Sequence, residues 1–313
     1  MVIKVHKELI DIPDYKDWTL IKKIDEGWSK DIKYYIEDCN KNKLLLRLSD
    51  ISMLEPKNKE FEIIKKYNSL SFEMSKVISF GICNNKQNVY MLLSWVEGES
   101  LITALPNLSE KEQYSLGLEA GNILKEIHSI PVIKSDMPVE NRQERKVKKL
   151  IKYENSSVRI NNDKDALKFI KKNIRKLNSL PPVYTHGDFH VGNLILTPNN
   201  NVGVIDFNRW KCGDGYEEFY KVQFFDIEVS IPFAIGQIDG YFNNEPPLKF
   251  WDILSVYVTH SSLTAINWAE AFGEDEINGM KLRCINAFKD FNNFKSIIPN
   301  WYKDNYKKYR TMI

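Results

Sequence analysis

Cysteine is scarce in this chain of 313 residues, and its four thiols, Cys39, Cys83, Cys212 and Cys284, stand far apart in the sequence. That spacing excludes a zinc-ligand pattern and a disulfide framework, and it favours a reducing compartment. Long apolar runs are missing too. None approaches the ~20 residues that cross a bilayer, and the stretch Met1-Val2-Ile3-Lys4-Val5-His6-Lys7-Glu8 has no apolar signal core. The expectation is a cytoplasmic protein with no membrane partner. The chain also lacks internal repeats and low-complexity segments, and its fourteen glycines nowhere form Gly-x-Gly-x-x-Gly. A strong charge of either sign is absent, the formal net value being +2.

What is present reads as globular. Hydrophobic residues make up 43% and aromatics 12%, in a chain long enough to bury a substantial core. The small net charge conceals a division. Residues 141–176 carry thirteen Lys or Arg against four Asp or Glu, a balance of +9, whereas residues 184–280 carry four against fourteen, a balance of −10. In the basic stretch Leu167, Ile170, Ile174 and Leu177 share one helical face. Charged residues normally populate the opposite, solvated face. No nucleic-acid motif accompanies them, so no nucleic-acid partner is expected.

The densest information lies in His186-Gly187-Asp188-Phe189-His190-Val191-Gly192-Asn193, which follows the apolar Val183-Tyr184. Leu194-Ile195-Leu196 then reads as a strand, Pro198-Asn199-Asn200-Asn201 as a turn, and Val202-Gly203-Val204-Ile205 as the returning strand before Asp206-Phe207. Such a hairpin is expected to hold Asn193 at its start and Asp206 at its end, close enough to share a metal. Mg2+ takes hard oxygen ligands and few of them from protein, because it keeps waters and phosphate oxygens. One carboxylate to orient a hydroxyl and accept its proton, with an amide and a second carboxylate on Mg2+, are the parts of phosphoryl transfer. Asp188 is therefore the candidate catalytic residue, and Asn193 and Asp206 are the candidate metal ligands. His186 and His190 are expected to pack and to bond the backbone.

The residues before 97 read as strand, strand, strand, helix, strand, strand, with turns at Asn40-Lys41-Asn42-Lys43 and Asn84-Asn85-Lys86. Tyr90-Met91-Leu92-Leu93-Ser94-Trp95-Val96 is an apolar strand running into Glu97-Gly98-Glu99, an expected hinge. Beyond it the pattern turns helical. Ser109 and Glu112 form a capping-box spacing, and Leu116, Ala120, Ile123, Leu124 and Ile127 then follow helical periodicity.

On these motifs the chain resembles the aminoglycoside phosphotransferase family, relatives of choline kinases and of eukaryotic-type protein kinases. A third mark is Gly213-Asp214-Gly215-Tyr216-Glu217-Glu218, where relatives carry Gly-Asp-Pro and a later acid; Asp214 and Glu218 are expected to brace the loop. The resemblance implies an α+β, bilobal protein-kinase-like fold. Its N-terminal nucleotide-binding lobe, residues 1–96, would be an antiparallel sheet plus one helix. Its C-terminal catalytic and substrate-binding lobe, residues 97–313, would be mainly helical and carry the catalytic hairpin. It also implies Mg2+ and ATP or GTP as phosphoryl donor. Arg47 stands where relatives place a strand-borne Lys on the nucleotide phosphates. Arg keeps the charge but presents a planar fork. Its expected ion-pair partner is Glu60, with Glu62 as the alternative register. Ser29, in the loop 25–31, is a candidate phosphate contact, and the backbone at Ser94 and Val96 a candidate purine contact.

Asp214 follows Asp206 by only eight positions, and no Ala-Pro-Glu signature or long activation segment follows. A small hydroxylated acceptor is therefore expected in place of a protein. The balance of −10 suggests a cationic, aminoglycoside-like acceptor, since an acidic cleft concentrates cations, with Glu228 and Asp239 as candidate contacts. A choline- or ethanolamine-type kinase on the same fold is the alternative, and a non-catalytic nucleotide-binding protein a further one.

Overall fold

The computed structural model describes residues 6–25, 30–138 and 140–313, and the chain divides into two compact units. One comprises residues 1–98 with 195–208, the other residues 99–194 with 209–313.

The first unit begins with β1 (Trp18–Ile24), β2 (Ile32–Asp38) and β3 (Lys43–Asp50), then helix α1 (Leu54–Tyr67), β4 (Glu73–Met74), β5 (Val77–Cys83) and β6 (Asn88–Ser94). Five of these strands form an antiparallel sheet in the order β1-β2-β3-β6-β5. Alternation along β3 decides which face does what. Leu44, Leu46 and Leu48 enter a core with Leu9, Ile12, Trp18, Tyr34, Ile36 and Leu92. Arg47 and Ser49, one residue out of phase, belong to the opposite face. Helix α1 buries Lys57, Glu60, Ile63, Ile64 and Tyr67, a stripe at three- and four-residue spacing. Burial of each aliphatic member is worth roughly 1.5–3 kcal/mol. The two charged members at its amino-terminal end need partners of their own.

The second unit contains β7 (Glu99–Ser100), α2 (Leu101–Ala104), α3 (Glu110–Ser129), α4 (Arg142–Glu154), α5 (Lys164–Asn173) and β8 (Val183–Thr185). After the hairpin strands β9 (Leu194–Leu196) and β10 (Val202–Val204) come β11 (Lys211–Gly213) and α6 (Ile227–Val229). The unit ends with α7 (Ile231–Phe242), α8 (Leu248–Ala269), α9 (Glu274–Asp290), α10 (Asn300–Lys303) and α11 (Tyr306–Arg310). Helix α3 opens on a capping box in which Ser109 and Glu112 exchange hydrogen bonds with each other's backbone N–H. Glycines let α3 and α7 touch backbone to backbone. A Cβ on Gly117 would lie 2.3 Å from the Phe233 carbonyl oxygen, and one on Gly236 would lie 2.3 Å from that of Tyr114. No helix among the described residues is long and apolar enough to cross a membrane.

The hairpin was expected within the carboxyl-terminal lobe. Residues 195–208 instead group with the first unit. The cause is pairing: β10 runs parallel to β4, with Gly203 opposite Glu73 and Val204 opposite Met74. Phe207, just beyond β10, packs its ring 5.3 Å from that of Tyr67 on α1.

Candidate active site

In the second unit the loop of residues 186–193 leaves β8, which is paired antiparallel with β11. Its start is fixed by Gly187, at φ +83°, where a Cβ would lie 1.9 Å from the Arg209 carbonyl oxygen. Only glycine admits that approach. Both histidines serve the backbone through Nδ1: His186 accepts from the Asp188 N–H at 3.2 Å and His190 from the Gly192 N–H at 3.1 Å. Asn193 Nδ2 donates to the Asp188 carbonyl at 2.9 Å. That bond turns the amide so that Oδ1, a hard oxygen donor, is spare among the described residues.

Two buried carboxylates hold the loop from below. Glu218 accepts the Gly187 N–H at 2.8 Å, and Asp226 accepts the Val191 N–H at 2.9 Å. Each has its second oxygen buried without a hydrogen-bond partner. Burial pushes both carboxyls up to about 7, against the lowering effect of those N–H donors and of nearby lysines. Asp214 does not brace the loop. It accepts from Arg142 Nη1 at 3.1 Å, Tyr257 Oη at 2.8 Å and the Tyr216 N–H at 2.9 Å, tying α4 and α8 to the segment after β11.

The Asp188 carboxylate itself is surrounded by nitrogen groups, two of them on cationic side chains. Lys221 Nζ donates to Oδ1, His190 Nε2 lies 3.6 Å from Oδ1, and Arg209 Nε lies 3.5 Å from Oδ2. Burial alone would raise this carboxyl; His190 and the Lys221 charge outweigh it and hold it well below the usual carboxylate range. Sequence reasoning missed Lys221, Phe225 and Asp226. All three come from one π-helical turn, residues 222–226 with its preceding residue. That wide turn, of a kind frequent at functional sites, presents positions 221, 225 and 226 to the same loop. Phe225 stacks on the His190 ring at 4.7 Å. No local pattern in Lys221-Val222-Gln223-Phe224-Phe225-Asp226 announces a π turn.

The first unit collects a second charged cluster. Arg47, only 3% exposed, gives Nη1 to Glu60, and gives Nε and Nη2 to Asp31, the former at 3.0 Å. Lys57 Nζ bonds Asp31 at 2.6 Å and Glu60 at 2.9 Å, and Ser49 Oγ donates to Asp31 at 2.7 Å. Glu62 points outward and is exposed. Burial would raise the Asp31 carboxyl, but Arg47 and Lys57 hold it down at about 2. Asp206 lies in this unit, at φ +62°, with Lys33 Nζ 3.9 Å from its Oδ2, and its charge helps keep Arg47 ionised. Asp is one of the few side chains that tolerates that left-handed backbone. At the end of β6 the Ser94 N–H donates to the Lys76 carbonyl, and just beyond it the Trp95 N–H donates to that of Lys43; the Val96 N–H has no backbone partner among the described residues. Ser29 lies outside the described residues.

Two expected acceptor contacts are engaged elsewhere. Asp239 is fully buried and takes Arg310 Nε at 2.7 Å, Arg310 Nη2 at 2.6 Å, Tyr302 Oη at 2.7 Å and Tyr114 Oη at 3.0 Å. It is a structural hub with no oxygen left for a solute. Glu228 is clamped by Arg283 Nε at 3.0 Å and Nη2 at 2.8 Å. The acidic balance of residues 184–280 is likewise used in part within the fold. Asp214 faces Arg142, Glu217 faces Lys146 and Lys211, and Asp252 faces Lys176. Glu274, Asp275 and Glu276 fill the first turn of α9, where the helix dipole favours them. The count of acids therefore does not describe an acidic cleft.

Comparisons with known proteins agree with these motifs. Among curated protein sequences none matches the chain significantly. Among solved structures it is similar to the GDP and kanamycin complex of APH(2'')-IIIa, with 16% identity and a TM-score of 0.69 over 89% of this chain and 97% of that one. It is also similar to ADP-bound aminoglycoside phosphotransferase APH(2'')-Ib, with 19% identity and a TM-score of 0.64 over 89% of this chain and 99% of the other. A ternary complex of an APH(4)-Ia mutant with ADP and hygromycin B has 14% identity and a TM-score of 0.64, covering 87% and 94%. These likenesses give the protein-kinase-like fold. The profile of the phosphotransferase enzyme family matches residues 20–251, and on that match the chain belongs to this family of phosphotransferases.

Proposed function

We propose that the chain is a small-molecule kinase, moving the γ-phosphoryl group of ATP or GTP to a hydroxyl of a small, aminoglycoside-like acceptor. The observation that carries this reading is the loop geometry. Asp188 is held as a carboxylate by Lys221, and Asn193 is keyed to the same loop with its amide oxygen spare. Asp188 aligns the acceptor hydroxyl. Because its pKa is depressed, its contribution is orientation and charge more than strong basicity. That suits a loose phosphoryl-transfer transition state, in which positioning dominates.

Asn193 Oδ1 and the Asp206 carboxylate are hard oxygens, a donor set that fits Mg2+, which requires few protein ligands. Bound there, Mg2+ would neutralise charge on the β- and γ-phosphate oxygens. Lys33 and Arg47 add positive charge for the same phosphates, with Glu60 fixing Arg47. Each of the three Arg47 nitrogens already donates to Asp31 or Glu60, so Arg47 acts chiefly through its field unless Asp31 is displaced. The Val96 N–H, with the backbone at Ser94, is the proposed purine contact. Ser29 is a proposed phosphate contact.

Support for an aminoglycoside comes from the kanamycin and hygromycin B named with two structural neighbours, and no longer from local charge. The test is a panel of aminoglycosides, neutral sugars and amino alcohols, each assayed with Mg-ATP and Mg-GTP. Asp188→Asn is expected to lower kcat by about 10^2 to 10^4, the range for a positioned acid–base group, with nucleotide affinity nearly unchanged. An unaltered kcat would refute the assignment.

A further inference from the structure

Lys221 is an unusual place for an ammonium. Its side chain is 6% exposed, and its Nζ is flanked by the rings of Tyr220 at 5.2 Å and Phe225 at 5.3 Å. An ammonium so far removed from water costs several kcal/mol unless a partner compensates. The partner here is Asp188, the residue assigned to the acceptor hydroxyl. Cation–π contacts with two ring faces add to the compensation.

The two oxygens of Asp188 are thereby made unequal. Oδ1 is locked by Lys221, with His190 Nε2 standing 3.6 Å away. Among the described residues Oδ2 meets only Arg209 Nε, at 3.5 Å and without hydrogen-bond geometry, and the Arg209 side chain is 41% exposed to solvent. The turn that delivers Lys221 also delivers Phe225 to His190 and Asp226 to the Val191 N–H. Its geometry is therefore fixed from three sides. We infer that Lys221 is a positioning residue for phosphoryl transfer: it pins Asp188 through Oδ1 so that Oδ2 is the oxygen presented to the acceptor hydroxyl. The inference rests on the kinase reading and names a further member of its machinery.

The test uses the full chain with whichever acceptor and nucleotide give turnover. Lys221→Met keeps the length and removes the donor. A base displaced by ~1 Å costs about 10^2-fold in rate, so kcat should fall by about 10^2 while the KM for nucleotide changes less than about threefold. A residue acting through Asp188 gives non-additive losses. The Asp188→Asn, Lys221→Met double variant should therefore be no slower than Asp188→Asn alone, whereas a merely structural Lys221 would lower the double variant further. If Lys221→Met does not fold, Lys221→Gln decides. It retains an N–H donor without the charge, and a kcat loss of about tenfold at unchanged nucleotide affinity is expected. An active parent with an equally active Lys221 variant, or losses that multiply in the double variant, overturns this inference alone. A parent that transfers phosphate to no acceptor overturns the kinase reading and this inference together.

Discussion

Replacing Glu218 by glutamine should make the protein less sensitive to alkali, and the size of the effect follows from its surroundings. Glu218 is buried, accepts the Gly187 N–H through one oxygen and has no partner for the other. Burial raises its carboxyl from 4.5 to about 7. Because the folded pKa exceeds the unfolded one, the folded chain holds the extra proton between those values. The stabilisation is complete below about pH 4.5 and is lost as the pH rises through about 7. At about 1.36 kcal/mol per unit, the loss amounts to about 3 kcal/mol. Glu218→Gln keeps a carbonyl oxygen for Gly187 and cannot ionise. Its second polar group adds a penalty that does not vary with pH, so the informative quantity is the difference in Tm from the parent. Between pH 4.5 and pH 8.5 that difference should move by roughly 6 °C in favour of the variant, taking about 2 °C per kcal/mol for a chain of this size. Differential scanning fluorimetry in matched buffers reads it directly. A difference constant to within about 1 °C would mean that Glu218 does not titrate in this window, and the account of the loop support would be wrong.

Three further outcomes are expected. Arg47→Met leaves Lys57 as the remaining cation on Asp31 and Glu60 among the described residues, and breaking a buried pair from one side costs about 3–5 kcal/mol; an unchanged denaturation midpoint would contradict the buried cluster. Asp206→Ala should weaken Mg-nucleotide binding by on the order of tenfold or more, the loss of one charge-assisted contact, and calorimetry showing equal affinity with and without Mg2+ in both proteins would remove Asp206 from the ligand set. Gly236→Ala puts a methyl 2.3 Å from the Tyr114 carbonyl oxygen, so the α3–α7 crossing should open at a cost of about 1–3 kcal/mol; a variant as stable as the parent in urea would show that the crossing is loose.

The local grammar of the chain was readable because period and chemistry coincide there. Alternation in β3, the capping box at Ser109 and the loop from His186 to Asn193 are each specified by residues within a few positions. The pairing of Arg47 with Glu60 was within reach, since strand and helix periodicity place both on faces that meet. Asp31 was not, because it lies in a loop whose course no periodicity fixes. The acids of residues 184–280 misled for a related reason. Summed charge ignores burial, and Asp239 and Asp214 are consumed by Arg310 and Arg142, partners remote in sequence. Lys221 escaped because its meaning depends on a π turn.

The first unit is entered twice by the polypeptide, once up to residue 98 and again for residues 195–208. A gene fragment stopping at residue 98 would encode this unit without the β10 partner of β4 and without Asp206. Expressing either half alone therefore calls for rewiring the chain order.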